Sequence, residues 1–236
     1  MHVQESDKVG EIAGRYPATI AVFERFGVDY CCGGKRSVRE AAERAGVEPG
    51  TLVGEVSRAA SELVEDEPRA PAEQSLRALI RHINESHHVF TRSAMDVIER
   101  TLPKVLAAHG AVHPELAAIG EAARALVDDL GPHLLREERV LFPWIEAAEA
   151  AIERGARPPS APFGSVQNPV RVMDAEHLEV ARLLETLTSL TAGYEIPAWA
   201  CPTATALFRT LGQLDRDLRR HVHLESNVLF PRAIAL

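Results

Sequence analysis

The sequence is short of cysteine, of long apolar runs and of basic charge, and each shortage removes a class of protein. Three cysteines among 236 residues, two of them adjacent, cannot build a disulfide framework, which points to a reducing compartment. No apolar run approaches the roughly 20 residues that a membrane-spanning helix needs. The N-terminal stretch MHVQESDKVG lacks the basic and apolar regions of a secretory signal. The expectation is a cytoplasmic protein with no membrane partner. A net charge of −8 argues against nucleic acid as a partner. Period-two alternation, the mark of a half-buried strand, occurs nowhere. What remains is an all-α chain whose 46% apolar content suffices for a core.

What is present is a string that occurs twice. Residues 129–143 read DLGPHLLREERVLFP and residues 217–231 read DLRRHVHLESNVLFP, an offset of 88 residues. In each copy a His precedes a Glu by four: His133 and Glu137, His221 and Glu225. On a helix, positions i and i+4 share a face. That face is the apolar one. Leu116, Ile119, Ala123, Leu126, Leu130, His133, Glu137 and Val140 follow a three–four spacing, as do Leu207, Leu211, Leu214, Leu218, His221, Glu225 and Val228. A carboxylate in an apolar core is costly unless it is paired or bound to metal. One such pair could be a core salt bridge. Two in register indicate a metal site with two-fold pseudo-symmetry.

A repeat of helix pairs implies that the preceding helices contribute too. Before the second motif, Val170, Met173, His177, Val180, Leu184 and Leu187 form a stripe that includes His177. Before the first, the stripe is Leu76, Ile80, Ile83, His87, Phe90, Ala94 and Val97, centred on His87. The repeat points instead to His88, which precedes His177 by 89 residues. The inventory is four His and two Glu. Imidazole and carboxylate without thiolate suit iron, manganese or zinc. Two metals bridged by the two carboxylates fit the count, with an oxo or hydroxo bridge as a further ligand; carboxylate-bridged di-iron in four-helix bundles has this form.

In chain order, residues 1–65 form a small helical domain. A first helix carries Val9, Ile12 and Ala13; a second opens at Pro17 and stops at Gly27. DYCCGG at 29–34 is a turn by composition. Ser37 and Glu40 form a capping box, and a last helix runs from Thr51 to Val64. Residues 66–73 are charged and contain proline, which marks a linker. The bundle occupies residues 74–236. Its first helix breaks at Pro103, its second contains Pro132 and Pro143, and the third and fourth cover 169–191 and 203–232.

Cys31 and Cys32 diverge too much to chelate one tetrahedral metal. They suit a redox dithiol, half of an intermolecular iron or iron–sulfur site, or simple packing of a turn. Cys201 opens the fourth helix and reads as unreactive. Asp129, one turn before His133, and Glu176, next to His177, are candidates for orienting a ligand or relaying protons.

DYCCGG followed by two His-x-x-x-Glu…LFP copies resembles the di-iron iron–sulfur cluster repair proteins of the RIC type, over nearly the whole chain. The resemblance implies a Cys-Cys domain followed by a hemerythrin-like antiparallel four-helix bundle. It maps the first-helix ligand onto His88, within HINESHH, and the others onto His133, Glu137, His177, His221 and Glu225. It implies two non-haem iron ions, carboxylate- and oxo-bridged, and repair of clusters damaged by nitric oxide or oxidants through iron delivery, with Cys31 and Cys32 in redox or iron transfer. The implied partners are damaged iron–sulfur proteins and the small molecules nitric oxide or dioxygen; a homodimer is compatible with it. Competing readings are an oxygen or nitric oxide binding or sensing module and a nitric oxide reductase. Oxygen-carrying hemerythrins use a fifth His one turn beyond another, where this chain has Arg92 and Ala181. That departure disfavours a dedicated oxygen carrier.

Overall fold

The computed structural model describes residues 3–61 and 70–236. Among them the named elements are all helical, and β structure is limited to an isolated bridge between Lys8 and Ser37. The short helices come first: α1 (Val9–Arg15), α2 (Thr19–Arg25), α3 (Val38–Arg44) and α4 (Pro49–Ser61). Gly27, at φ +65°, takes the left-handed turn that ends α2. The capping box of α3 forms as expected. The Ser37 hydroxyl accepts the Glu40 N–H at 3.2 Å, and the Glu40 carboxylate accepts the Ser37 N–H at 2.7 Å. The expected end of α4 at Val64 and residues 66–69 of the expected linker lie outside the described residues. Pro71–Glu73 is a single 3-10 turn.

The long helices come next: α5 (Leu76–His82), α6 (Val89–His109), α7 (Leu116–Arg136), α8 (Phe142–Glu153), α9 (Gln167–Leu190), α10 (Pro202–His223) and α11 (Phe230–Ile234). Three π-helical turns interrupt them: Ile83–His88 between α5 and α6, Glu137–Leu141 between α7 and α8, and Leu224–Leu229 between α10 and α11. A π turn adds one residue to a helical turn and so rotates the next stretch of helix about its axis. Two of the expected stripes slip for this reason. Past Ile83 both His87 and His88 are buried, and the core positions that follow are Thr91, Ala94, Ile98 and Leu102, whereas Phe90 and Val97 are only half-buried. Past Glu137 the core position is Leu141, and Val140 is 44% exposed.

α6 also corrects the sequence reading at Pro103, where a break is expected and the helix instead runs on to His109. Pro103 lies on the exposed face, while its neighbours Leu102 and Val105 are buried. Burying such side chains contributes about 1.5–3 kcal/mol each, enough together to offset the ~3 kcal/mol that an interior proline costs.

The chain divides into two compact units. One comprises 82–144 and 168–218. Its core draws on α6 (Ile98, Leu102), α7 (Ile119, Leu126), α9 (Leu184, Leu187) and α10 (Leu207, Leu214). Within it α6 and α7 run antiparallel. A Cβ on Gly120 would lie only 3.2 Å from Leu106, so this glycine lets the two backbones approach, and Gly131 sits opposite Met95. The other unit comprises 1–81, 145–167 and 219–236. Its apolar core includes Val9, Phe23, Tyr30, Val38, Leu52 and Val56. In this unit the N-terminus of α5 is closed by Glu149, whose carboxylate accepts the N–H groups of Leu76 at 2.7 Å and Arg77 at 3.0 Å. No helix among the described residues is long and apolar enough to cross a membrane.

Candidate metal centre

All six candidate ligands are buried: His88, His133, Glu137, His177, His221 and Glu225 are each at most 3% exposed. The π turns hold three of them, His88, Glu137 and Glu225. π turns of this kind recur at functional sites because they re-aim a side chain that an α-helix would turn away.

In the unit formed by 82–144 and 168–218, Glu137 Oε2 lies 3.4 Å from His88 Nε2 and 3.4 Å from His133 Nε2. His177 Nε2 faces His133 Nε2 at 3.3 Å. Ligand atoms of His133, Glu137 and His177 lie within 4.8 Å of one another. Two ring nitrogens at that separation suit a shared ion, since metal–nitrogen bonds of roughly 2.1 Å place neighbouring ligands about 3 Å apart.

The other ring nitrogens are engaged as well. His88 Nδ1 meets Glu138 Oε1 at 2.7 Å, and Arg92 donates to both oxygens of Glu138 at 2.8 Å. His133 Nδ1 meets Glu176 Oε2 at 2.8 Å, and Arg136 donates to Glu176 Oε1 at 2.5 Å. Partial burial alone would raise these two carboxyls. The hydrogen bonds from His88 and Arg92, and from Arg136 and His133, outweigh it and hold both below the usual carboxylate range. Each anion therefore takes a ring N–H on Nδ1 and leaves Nε2 as the metal-binding atom. The roles of Glu138, Arg92 and Arg136 beside the ring nitrogens escape the sequence reading. The only signal for Glu138 is its place beside Glu137, and its counterpart in the second copy is Ser226.

His87, the stripe centre, is turned elsewhere. Its Nδ1 lies 3.0 Å from Asp217 Oδ1. Asp129 is exposed and lines a cavity of about 760 Å3, together with His133, Arg136, Arg171, Glu176 and Glu179. His133 lies in the wall of this cavity.

In the unit formed by 1–81, 145–167 and 219–236, His221 Nε2 meets Glu225 Oε1 at 2.9 Å, one turn apart. His223 is buried and packs edge-on against Tyr30, with ring centroids 5.5 Å apart; burial brings its pKa down to about 4. Cys31 is 4% exposed and Cys32 half-buried. The Cys31 thiol donates to Asp29 Oδ1 at 3.3 Å, and its hydrogen bond with Cys32, together with burial, pushes its pKa well up. At rest this is a protonated thiol and a poor nucleophile. Cys201, read as unreactive, is the opposite case: the Ala204 backbone N–H and then His109, whose Nε2 lies 3.3 Å from Sγ, bring its pKa down to about 7.

A helical fold that buries imidazole and carboxylate donors without thiolate defines a non-haem metal-binding protein. The profile of the hemerythrin HHE cation-binding domain matches residues 78–233, and that of ScdA_N, a domain of unknown function, matches residues 5–60. The chain is 32% identical over 243 residues to the iron–sulfur cluster repair protein YtfE of Musicola paradisiaca (strain Ech703), covering 99% of this chain and 98% of that one. It is 30% identical over 227 residues to the proteins of the same name from Escherichia coli O1:K1 / APEC and Escherichia fergusonii, with 96% of each chain covered. The chain belongs to the family of hemerythrin-like iron–sulfur cluster repair proteins.

Proposed function

We propose that this chain is a non-haem di-iron protein that restores iron–sulfur clusters damaged by nitrosative or oxidative stress, by supplying iron to the damaged protein. His88, His133, Glu137, His177, His221 and Glu225 would hold the two irons. The observation that carries this reading is that, within the unit formed by 82–144 and 168–218, ligand atoms of the buried His133, Glu137 and His177 lie within 4.8 Å of one another and His88 Nε2 lies 3.4 Å from Glu137 Oε2. Residues 1–65 form the domain bearing Cys31 and Cys32, residues 66–73 its linker, and residues 74–236 the metal-binding bundle.

Bound iron would supply one-electron chemistry and exchangeable ligands. The chain's residues do the rest. Glu138 and Glu176 fix the ring orientation of His88 and His133 through Nδ1. Arg92 and Arg136 keep those two carboxylates ionised and in place. Arg92 stands where oxygen-carrying hemerythrins have a ligand, and here it is spent on Glu138. The cavity beside His133 admits a small molecule or a chelating group, while Glu176 and Asp129 line the path on which a proton or cation would move. Cys31 and Cys32 handle iron or electrons between the protein and its client.

The test uses protein loaded anaerobically with isotopically labelled iron and an enzyme whose cluster has been destroyed by nitric oxide. The client should regain activity and carry the label. The variant with Cys31→Ser and Cys32→Ser should keep two irons per chain and lose most of the recovery. Catalytic removal of nitric oxide with no label in the client would replace this reading with a nitric oxide reductase.

A further inference from the structure

The Cys31–Cys32 turn is clamped to the helical turn that carries Glu225, and the clamp is Asn227. The side-chain amide of Asn227 donates to the carbonyl oxygens of Cys31 at 2.8 Å and Tyr30 at 3.3 Å. Its approach needs two residues without side chains. A Cβ on Gly10 would fall 2.5 Å from Asn227 Oδ1, and one on Gly34 would fall 2.1 Å from the same atom. Gly10 N–H in turn donates to Gly34 O at 2.9 Å, and Gly34 N–H donates to Cys31 O at 3.3 Å. The Cys31 carbonyl thus takes one hydrogen bond from its own turn and one from Asn227. A Cβ on Gly14 would lie 3.0 Å from Val228, so α1 packs closely on the same π turn, Leu224–Leu229.

We propose that Asn227 is a positioning residue that couples iron occupancy at Glu225 to the accessibility of the Cys31 thiol; this rests on the di-iron reading above. Asn227 and Glu225 sit two residues apart in one π turn, a helical distortion that persists only where tertiary contacts hold it. Iron bound by Glu225 fixes that turn, and the fixed turn presents the Asn227 amide to the Cys31 and Tyr30 carbonyls. When iron leaves, the turn relaxes, the amide withdraws, and the buried Cys31 thiol becomes reachable. The thiol pair is thereby held back while the centre is full and released when iron is handed on. Both states belong to one linked equilibrium, so the coupling is measurable from the cysteine side.

The experiment uses the full chain with Cys32→Ser and Cys201→Ser, leaving Cys31 as the sole thiol. Iron content is measured first, and then the rate of Cys31 alkylation by iodoacetamide is followed by intact mass with iron loaded and after removal by a chelator. Loading should slow alkylation by about fivefold or more, the lower end of ordinary coupling strengths. Asn227→Ala should keep its iron and alkylate at one rate in both states. Gly34→Ala, which drives a methyl group onto Asn227 while leaving the amide in the sequence, should uncouple the two in the same way. A parent protein that binds no iron sinks the di-iron reading and the coupling together. A loaded parent whose Cys31 rate ignores iron, or an Asn227→Ala protein that retains the iron effect, overturns the coupling alone.

Discussion

Cys201 shows how far a side chain's chemistry is set by its neighbours. As a lone cysteine at the head of a helix it offers nothing in sequence, because its partner His109 is 92 residues away. In the fold it stands just before the first residue of α10, where the backbone N–H groups of Ala204 and Thr203 point at its sulfur, and His109 Nε2 lies 3.3 Å off. The helix N–H groups, Ala204 first, and then His109 favour the thiolate and bring the pKa down to about 7. The reactive anion therefore dominates above pH 7 and is lost as pH falls below it. Cys31 has the same atoms and the opposite fate, since burial and its hydrogen bond with Cys32 favour the thiol. Alkylation of Cys201, tracked by peptide mapping from pH 5 to 10, should therefore be half-maximal at about pH 7, against about 8.5 for an ordinary cysteine. His109→Ala should move that midpoint upward. A midpoint at 8.5 or above in the parent protein would remove any special reactivity from this thiol.

At the scale of the element, the ligand-bearing helices were legible in period and not in phase. The three–four stripes predict where the long helices run, and the doubled His-x-x-x-Glu string points to their buried faces, because both signals depend only on local spacing. A π turn leaves no such mark. It costs helix hydrogen-bond geometry that tertiary contacts must repay, and those contacts involve residues far apart in sequence. The single residue added between Ile83 and His88 decides which of two adjacent imidazoles faces Glu137. His88 Nε2 is 3.4 Å from Glu137 Oε2, whereas His87 is held at 3.0 Å by Asp217. The same blindness hides Glu138, which reaches His88 from another helix, and Asn227, whose glycine partners lie near the other end of the chain. On the proposed di-iron reading, His88→Ala should lower iron content well below two per chain, while His87→Ala should retain both irons with only a modest loss of stability from the broken bond to Asp217. Iron analysis of the two purified variants checks the phase of this helix; the reverse pattern would put the ligand at His87.

For the whole molecule, the proposed metal centre sets a large electrostatic demand. Glu137 and Glu225 are both 0% exposed, and a carboxylate taken that far from water costs several kcal/mol unless positive charge compensates it. On the proposed ligand set the imidazoles are neutral as ligands, so in a loaded protein the compensation would come from the ions. Removing the ions leaves the carboxylates to be accommodated by protonation, by imidazolium partners or by opening of the surrounding helices, and each of these lowers stability. Iron should therefore stabilise the folded chain by mass action, raising the unfolding temperature as loading rises. The carboxylates should act in opposite directions in the two states. Glu137→Gln keeps the shape of the side chain and removes its charge. With iron present it loses a ligand and should lower the unfolding temperature. In the chelator-treated protein it relieves a buried charge and should raise that temperature relative to the parent, by an amount corresponding to a few kcal/mol. Calorimetry of parent and variant, each with and without iron, gives the four temperatures. A variant less stable than the parent in both states would mean that Glu137 is held by protein contacts alone and that the ions do not govern the stability of this centre.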